Sequence, residues 1–319
     1  MTNCKVLFKL LFVSLGTVST AFSAQAALST AHDIVGGDTV TDLNSFEYRH
    51  TVRLLISAKL SGSKIPKEMQ GLKMAWRCSG ALIRANIVLS AGHCFPRTLA
   101  VTLPDSGIVV RGELADLRAE AYFKKDSRSD RPWGVRAEHI IVHEAFREDW
   151  VTSVDDPWNP SEPIADLAIL SLTENASPDK ASVALLESAD QPLSEYEAVT
   201  LAGYGRDVSD GQISIPKLRR VEVPYREPLR NLTEWFVGRG DLTQAGKVND
   251  PQGACMGDSG GPLFVQRDGK AKLGGIIIRG PSSENGGCEA SVTIVTAVPA
   301  YSEWIEEQMR QLASALGSN

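Results

Sequence analysis

The sequence predicts an all-β chain of antiparallel strands closed by one C-terminal helix. Three observations carry this: a series of short β-prone runs, turn residues between them, and a helical apolar stripe at the end. The runs fall at residues 48–57, 79–90, 109–115, 139–142, 165–172, 198–204, 218–223, 262–266, 273–278 and 291–298. Gly, Pro, Asn and Asp clusters separate them, and the alternating helices that a parallel sheet needs are missing. Asp268-Gly269 lies between two of the runs, and an Asp-Gly pair takes the positive backbone angles of a tight hairpin. Tyr301, Trp304, Ile305, Met309, Leu312 and Leu316 recur at three- and four-residue intervals, which puts them on one stripe of an amphipathic helix. The polar stretches 58–73 and 121–133 read as surface loops. Segment 174–192, rich in Ser, Asp, Pro and Glu, divides two strand-rich halves, taken as 34–175 and 176–319.

With 319 residues, 43% hydrophobic and 23% charged, the chain has enough apolar material for real cores, which excludes disorder. Its 33 basic and 39 acidic residues give a net charge of −6, so nucleic acid is not an expected partner. Residues 1–26 read as a secretory signal. Lys5 and Lys9 supply the charge, residues 10–18 the apolar stretch, and Ala24-Gln25-Ala26 the small-residue cleavage pattern. No later apolar run approaches the roughly 20 residues of a membrane span. The expectation is a secreted product, extracellular or periplasmic, with no membrane association after signal removal.

The strongest local signal is Gly257-Asp258-Ser259-Gly260-Gly261-Pro262. Glycines around a serine let a substrate carbonyl approach and let backbone N–H groups point at it, although a plain Gly-rich turn reads much the same. A serine hydroxyl needs a base to act as a nucleophile, and His93 in Ser90-Ala91-Gly92-His93-Cys94 is the candidate. Asp166, set among Ile164, Ala165, Leu167, Ala168, Ile169 and Leu170, needs a partner if buried, and an imidazole N–H supplies one. His139 and His143 are four apart, but their surroundings are strand-like, where that spacing makes no helical metal pair. No metal is expected.

Taken together these residues resemble the trypsin/chymotrypsin-like serine protease family. The resemblance runs from Ile34-Val35-Gly36-Gly37 through the His93 and Asp166 segments to Cys255-Met256-Gly257-Asp258-Ser259-Gly260-Gly261-Pro262 and Trp304-Ile305. It implies two six-stranded antiparallel β-barrels with a C-terminal α-helix, and a site in the cleft between them. His93, Asp166 and Ser259 become the catalytic triad, and the N–H groups of Gly257 and Ser259 the oxyanion hole. It implies bridges Cys78–Cys94 and Cys255–Cys288, with Cys4 left in the discarded signal. Residues 27–33 become a propeptide, and cleavage before Ile34 frees an ammonium that pairs with Asp258. Gly253 stands at the base of the specificity pocket, with Gly280 and Thr293 on its walls. An uncharged base and a threonine wall imply cleavage after small to medium apolar residues. The implied partners are protein or peptide substrates and a protein inhibitor, and no cofactor is needed.

Two positions depart from the family pattern: Gly92 in place of alanine, and Asp33 in place of a basic residue before the junction. Arg279, where the family often has a large aromatic, reads as a solvated residue at the pocket rim. A binding protein that has lost turnover is the main competing reading, and all three triad residues argue against it. An esterase with a Gly-x-Ser-x-Gly elbow is the other, and the strand signals on both sides of Ser259 argue against that.

Overall fold

The computed structural model describes residues 34, 36–102, 108–124, 132–146, 165–187, 190, 192–205, 217–229, 232–239, 252–280 and 292–317. The expected signal 1–26, propeptide 27–33 and Cys288 lie outside the described residues. A short helix α1 (Phe46–His50) and strands β1 (Asp38–Thr39), β2 (Thr51–Ser61), β3 (Lys73–Arg84) and β4 (Ile87–Ser90) come first. They are followed by β5 (Thr98–Thr102), β6 (Val109–Lys124), β7 (Pro132–Val142) and β8 (Ala168–Leu172). Next come β9 (Ala184–Leu185), β10 (Ala198–Gly203), β11 (Arg219–Leu229), β12 (Glu234–Gly238), β13 (Pro262–Arg267), β14 (Lys270–Arg279) and β15 (Val292–Ala297). Helix α2 (Ser302–Gly317) ends the chain.

The strands form two closed six-stranded antiparallel barrels. The first runs β2-β3-β4-β8-β7-β6 and closes where β6 pairs back onto β2, with β5 hung on β6. The second runs β11-β10-β13-β14-β15-β12 and closes through β12 and β11. β1 joins the second sheet on β11, and β9 lies parallel to β14. Closure leaves the ring strands without free edges.

Period-two alternation builds these walls. Along β2, Val52, Leu54, Ile56, Ala58 and Leu60 are buried, while Arg53, Leu55, Ser57 and Lys59 are more exposed. The alternation continues past residue 57, so 58–61 is strand and not the loop its polar composition suggests. The same correction applies to 121–124 and 132–133. Ala121 and Phe123 point inward at the end of β6, and β7 already starts at Pro132. Residues 48–50 are helical rather than extended, because Ser45 caps a turn there by accepting a hydrogen bond from Tyr48 N at 3.3 Å.

The interiors carry most of the stabilisation. Leu54, Ile56, Leu89, Ile169 and Leu170 are fully buried in the first barrel, and Leu201, Val237, Leu263, Val265 and Val295 in the second. Each such side chain is worth about 1.5–3 kcal/mol. An exposed pair such as Lys59–Asp116, at 2.7 Å, adds little beside them, because water screens it.

The polar segment expected to divide the halves is well anchored. Lys180 is buried, donates to the carbonyls of Tyr48 and Thr51, and lies 3.9 Å from the centre of the Tyr48 ring. Val183 N bonds Leu82 O at 2.9 Å, and Leu186 N bonds Leu273 O at 2.9 Å, so the segment leads from one barrel to the other. Helix α2 buries Ile305 and Leu312. Trp304 Nε1 donates to Glu144 Oε2 at 3.0 Å, and its ring lies 4.7 Å from that of His143. His143 therefore serves in an aromatic contact between α2 and the end of β7. Among the described residues, no helix is long and apolar enough to cross a membrane.

Candidate active site

Strand pairing delivers His93 and Asp166 to the same end of the first barrel. β4 pairs with β8 in the register Ser90↔Ala168, so the turn after β4 faces the residues just before β8. His93 occupies a single 3₁₀ turn, Gly92–Cys94. The expected Cys78–Cys94 disulfide fixes that turn to β3, and Trp76 Nε1 donates to Cys94 O at 2.9 Å. Asp166 then accepts twice from the same residue: from His93 N at 2.8 Å through Oδ1, and from His93 Nδ1 at 2.7 Å through Oδ2.

The Asp166 side chain is 0% exposed and that of His93 23%. Because the carboxylate accepts at Nδ1, the proton of neutral His93 sits there and Nε2 carries the free lone pair. Burial pushes the imidazole pKa down, but the charge and hydrogen bond of Asp166 outweigh it and hold His93 above its ordinary value, with Arg279 opposing them.

The Ser259 turn belongs to the second barrel yet is bolted to the first. Ser79 N donates to Ser259 O at 2.8 Å, and Ser79 Oγ donates to Gly257 O at 3.0 Å. Ser79 Oγ also accepts from Tyr204 N at 2.9 Å, while Ser90 Oγ donates to Ser79 O at 2.8 Å. Cys94 Sγ lies 3.8 Å from Ser259 O, which puts the half-buried serine beside the histidine turn. Gly260 has φ 81°, and a Cβ there would run into Ser90 Oγ and Ser79 O, so only glycine permits this approach.

Within the turn, Asp258 N bonds Cys255 O, Gly260 N bonds Ile277 O and Gly261 N bonds Asp258 O. Among the described residues, Gly257 N and Ser259 N have no such acceptor. The sequence gives no sign of the role of Ser79, since nothing local marks a serine that bonds a turn 180 residues away. Changing Ser79 to Ala strands Gly257 O and Tyr204 N, and is expected to lower stability by about 1–3 kcal/mol in urea denaturation.

Asp258 is fully buried. It accepts from Ile34 N at 3.1 Å, Cys255 N at 3.0 Å and Gly205 N at 2.9 Å. Burial raises its pKa to about 6 against the opposing pull of those amides and of Arg219. A Cβ at Gly203 would strike its carboxylate, so that glycine keeps the cradle open. Ile34 is itself 0% exposed, and Arg219 Nη2 donates to Gly37 O at 2.6 Å, fixing the segment behind it.

The expected pocket residues also meet. Thr293 is buried, and its Oγ1 accepts from Ala254 N at 2.9 Å, next to buried Gly253. A Cβ built at Gly280 would lie 3.4 Å from Ala254 O, which places Gly280 beside the same segment. Cys255 is disulfide-bonded. Its expected partner, Cys288, lies outside the described residues.

Arg279 requires a correction. It is not a solvated rim residue, because its side chain is 12% exposed and pairs at 2.8 Å with Glu234 Oε2, itself 2% exposed. A guanidinium this far from water needs a carboxylate partner, and β12 supplies one that the sequence reading did not identify.

Comparison with known proteins agrees with this architecture. Human tissue-type plasminogen activator is 29% identical over 252 residues, covering 73% of this chain and 39% of its own length. The same protein from Pongo abelii is 30% identical over 254 residues, with the same coverage. The chain thus spans 39% of the length of these relatives. Chymotrypsin-C from Rattus norvegicus is 28% identical over 244 residues, covering 74% of this chain and 80% of its own. The Trypsin family model matches residues 34–305, both barrels and the start of α2 included, and the chain belongs to the trypsin family.

Proposed function

We propose that this chain is an exported serine endopeptidase, made as a zymogen and activated by cleavage before Ile34. The observation that carries the reading is the doubly bonded His93–Asp166 couple with the Ser259 turn locked against the same strand ends. Asp166 holds the imidazole in the tautomer whose Nε2 takes the hydroxyl proton. Ser259 Oγ attacks the scissile carbonyl carbon, and the oxyanion forms within reach of Gly257 N and Ser259 N. His93 then returns the proton to the departing amine as the C–N bond breaks, leaving an acyl-enzyme. Water, deprotonated by the same imidazole, releases the acid product and restores the serine.

Specificity follows from Gly253, Gly280 and Thr293. With no carboxylate at Gly253, a substrate cation has nothing to offset its lost hydration. Thr293 narrows the wall, which favours small to medium apolar residues before the cut. The test is hydrolysis, by chain cleaved before Ile34, of a peptide panel differing only at that residue. Val, Ala and Leu peptides are expected to turn over fastest, and strong preference for Arg overturns the pocket assignment.

The acid limb of kcat/KM carries a second prediction. His93 must be neutral to accept the proton, and Asp166 holds its pKa above the ordinary 6.5. Activity is therefore expected to fall on acidification with a midpoint above 6.5, and a midpoint below that contradicts the coupling.

A further inference from the structure

We infer that the buried Arg279–Glu234 pair is an electrostatic positioning element for the His93–Asp166 couple, with Arg279 as the cation that faces the couple from the second barrel. This rests on the reading of His93 and Asp166 as the catalytic pair. Arg279 ends β14, immediately before Gly280 of the pocket. A register shift between Ile277 and Arg279 sets it opposite Ile294 of β15. From there its side chain passes across β15 to Glu234, the first residue of β12.

Glu234 pairs in register with Thr296, and Thr296 Oγ1 donates to Asp166 O at 3.0 Å. The ion pair therefore lies one strand from the residue that grips the backbone of Asp166. Two buried carboxylates, Asp166 and Glu234, share this corner, and the Arg279 guanidinium is drawn to both.

Among the described residues, charged and titratable groups reach this corner from four elements. Asp166 bonds His93 from the segment before β8, and the charge of Arg279, at the end of β14, opposes protonation of the imidazole. Glu234 faces Arg279 from β12. Tyr301, in the turn before α2, lies within electrostatic range of Glu234 and Asp166, and burial pushes its hydroxyl pKa up, so it stays neutral.

Apolar side chains of similar volume commonly stabilise a protein as well as a buried ion pair does. What an apolar pair cannot supply is a fixed positive charge beside the couple. Arg279 opposes protonation of His93, against the pull of Asp166. Glu234 sets how much of that charge is felt.

The two members of the pair should therefore act in opposite directions, which a merely structural role does not produce. The experiment follows the His93 ring by NMR titration in the chain cleaved before Ile34 and carrying Ser259→Ala, and in parallel the acid limb of kcat/KM with Ser259 intact. Arg279→Gln is expected to move the His93 midpoint up, and Glu234→Gln to move it down. Arg279→Lys should restore most of the original midpoint, and the double neutral variant should fall between the single ones.

Shifts of the same sign, or unmoved midpoints in the folded Gln variants, overturn the inference. Should Arg279→Gln fail to fold, Glu234→Gln decides it alone: a lowered midpoint supports the inference, and an unmoved or raised one overturns it. The NMR arm needs no turnover. Opposite shifts in a chain that hydrolyses no peptide would leave the pairing intact and remove only the protease reading.

Discussion

Ser259→Ala is expected to reduce peptide hydrolysis by about 10⁶-fold in kcat while leaving KM and thermal stability close to their starting values. The side chain removed is a single hydroxyl. The bonds that hold its turn run through the backbone of Ser259, Gly257 and Gly260 and through Ser79, none of which the substitution touches. What disappears, on the proposed reading, is the atom that forms the acyl intermediate. Asp166→Asn is expected to cost about 10⁴-fold for a different reason. An amide NH₂ facing Nδ1 favours the tautomer with its proton on Nε2, so the lone pair no longer faces the serine. Both variants should fold, since Asn retains an oxygen to accept from His93 N. The measurement is kcat and KM on one apolar peptide. A Ser259→Ala protein retaining even a hundredth of the activity would move the nucleophile elsewhere.

The second large effect lies at Asp258. After cleavage before Ile34, the nitrogen now 3.1 Å from Asp258 Oδ2 becomes an ammonium, and a buried carboxylate gains a full counter-charge. Asp258→Asn leaves that ammonium without one. Breaking a buried pair in this way costs about 3–5 kcal/mol. The strain falls on the turn carrying Gly257 and Ser259, where loss of a single oxyanion donor costs about 10²–10³ in kcat. Activity of the cleaved Asp258→Asn chain is therefore expected to drop at least about 10²-fold.

The same residue gives cleavage a pH signature. In the uncut chain burial holds the Asp258 pKa at about 6, above its unfolded value of 3.8. A folded pKa raised in this sense means that the uncut chain loses stability as pH climbs from about 4 through about 6. The freed ammonium lowers the Asp258 pKa, so the cleaved chain keeps its stability across that window. Unfolding midpoints of the two forms should diverge in favour of the cleaved form between about pH 4 and 7. A constant difference would mean that the new terminus does not reach Asp258.

The candidate site was legible in the sequence because its residues sit in short local patterns. His93 between Gly92 and Cys94, Asp166 within an apolar run and Ser259 among glycines each announce a constraint locally. Strand limits were less legible. Alternation in 58–61 is masked by Lys59 and Ser61, and β12 by the shortness of Trp235-Phe236-Val237, so one was taken for loop and the other not marked at all. Ser45 as a cap was missed because a one-turn helix competes poorly with the β-prone run that follows it.

The residues that support the site were invisible for a deeper reason. Ser79 and Glu234 act through partners far away in sequence, Ser90 acts through Ser79, and Arg279 looks solvated because its counter-charge lies on another strand. No local pattern encodes such pairs; they emerge only when two closed barrels bring their strand ends together.

The account stands most directly on whether Ser259 is a nucleophile activated by His93. Chain cleaved before Ile34 can be treated with an organophosphorus fluoride and mapped by peptide mass spectrometry. The prediction is one equivalent of label, carried on Ser259, with labelling slowed severely in His93→Ala. Label on another residue, or equal labelling rates with and without the imidazole, would contradict it.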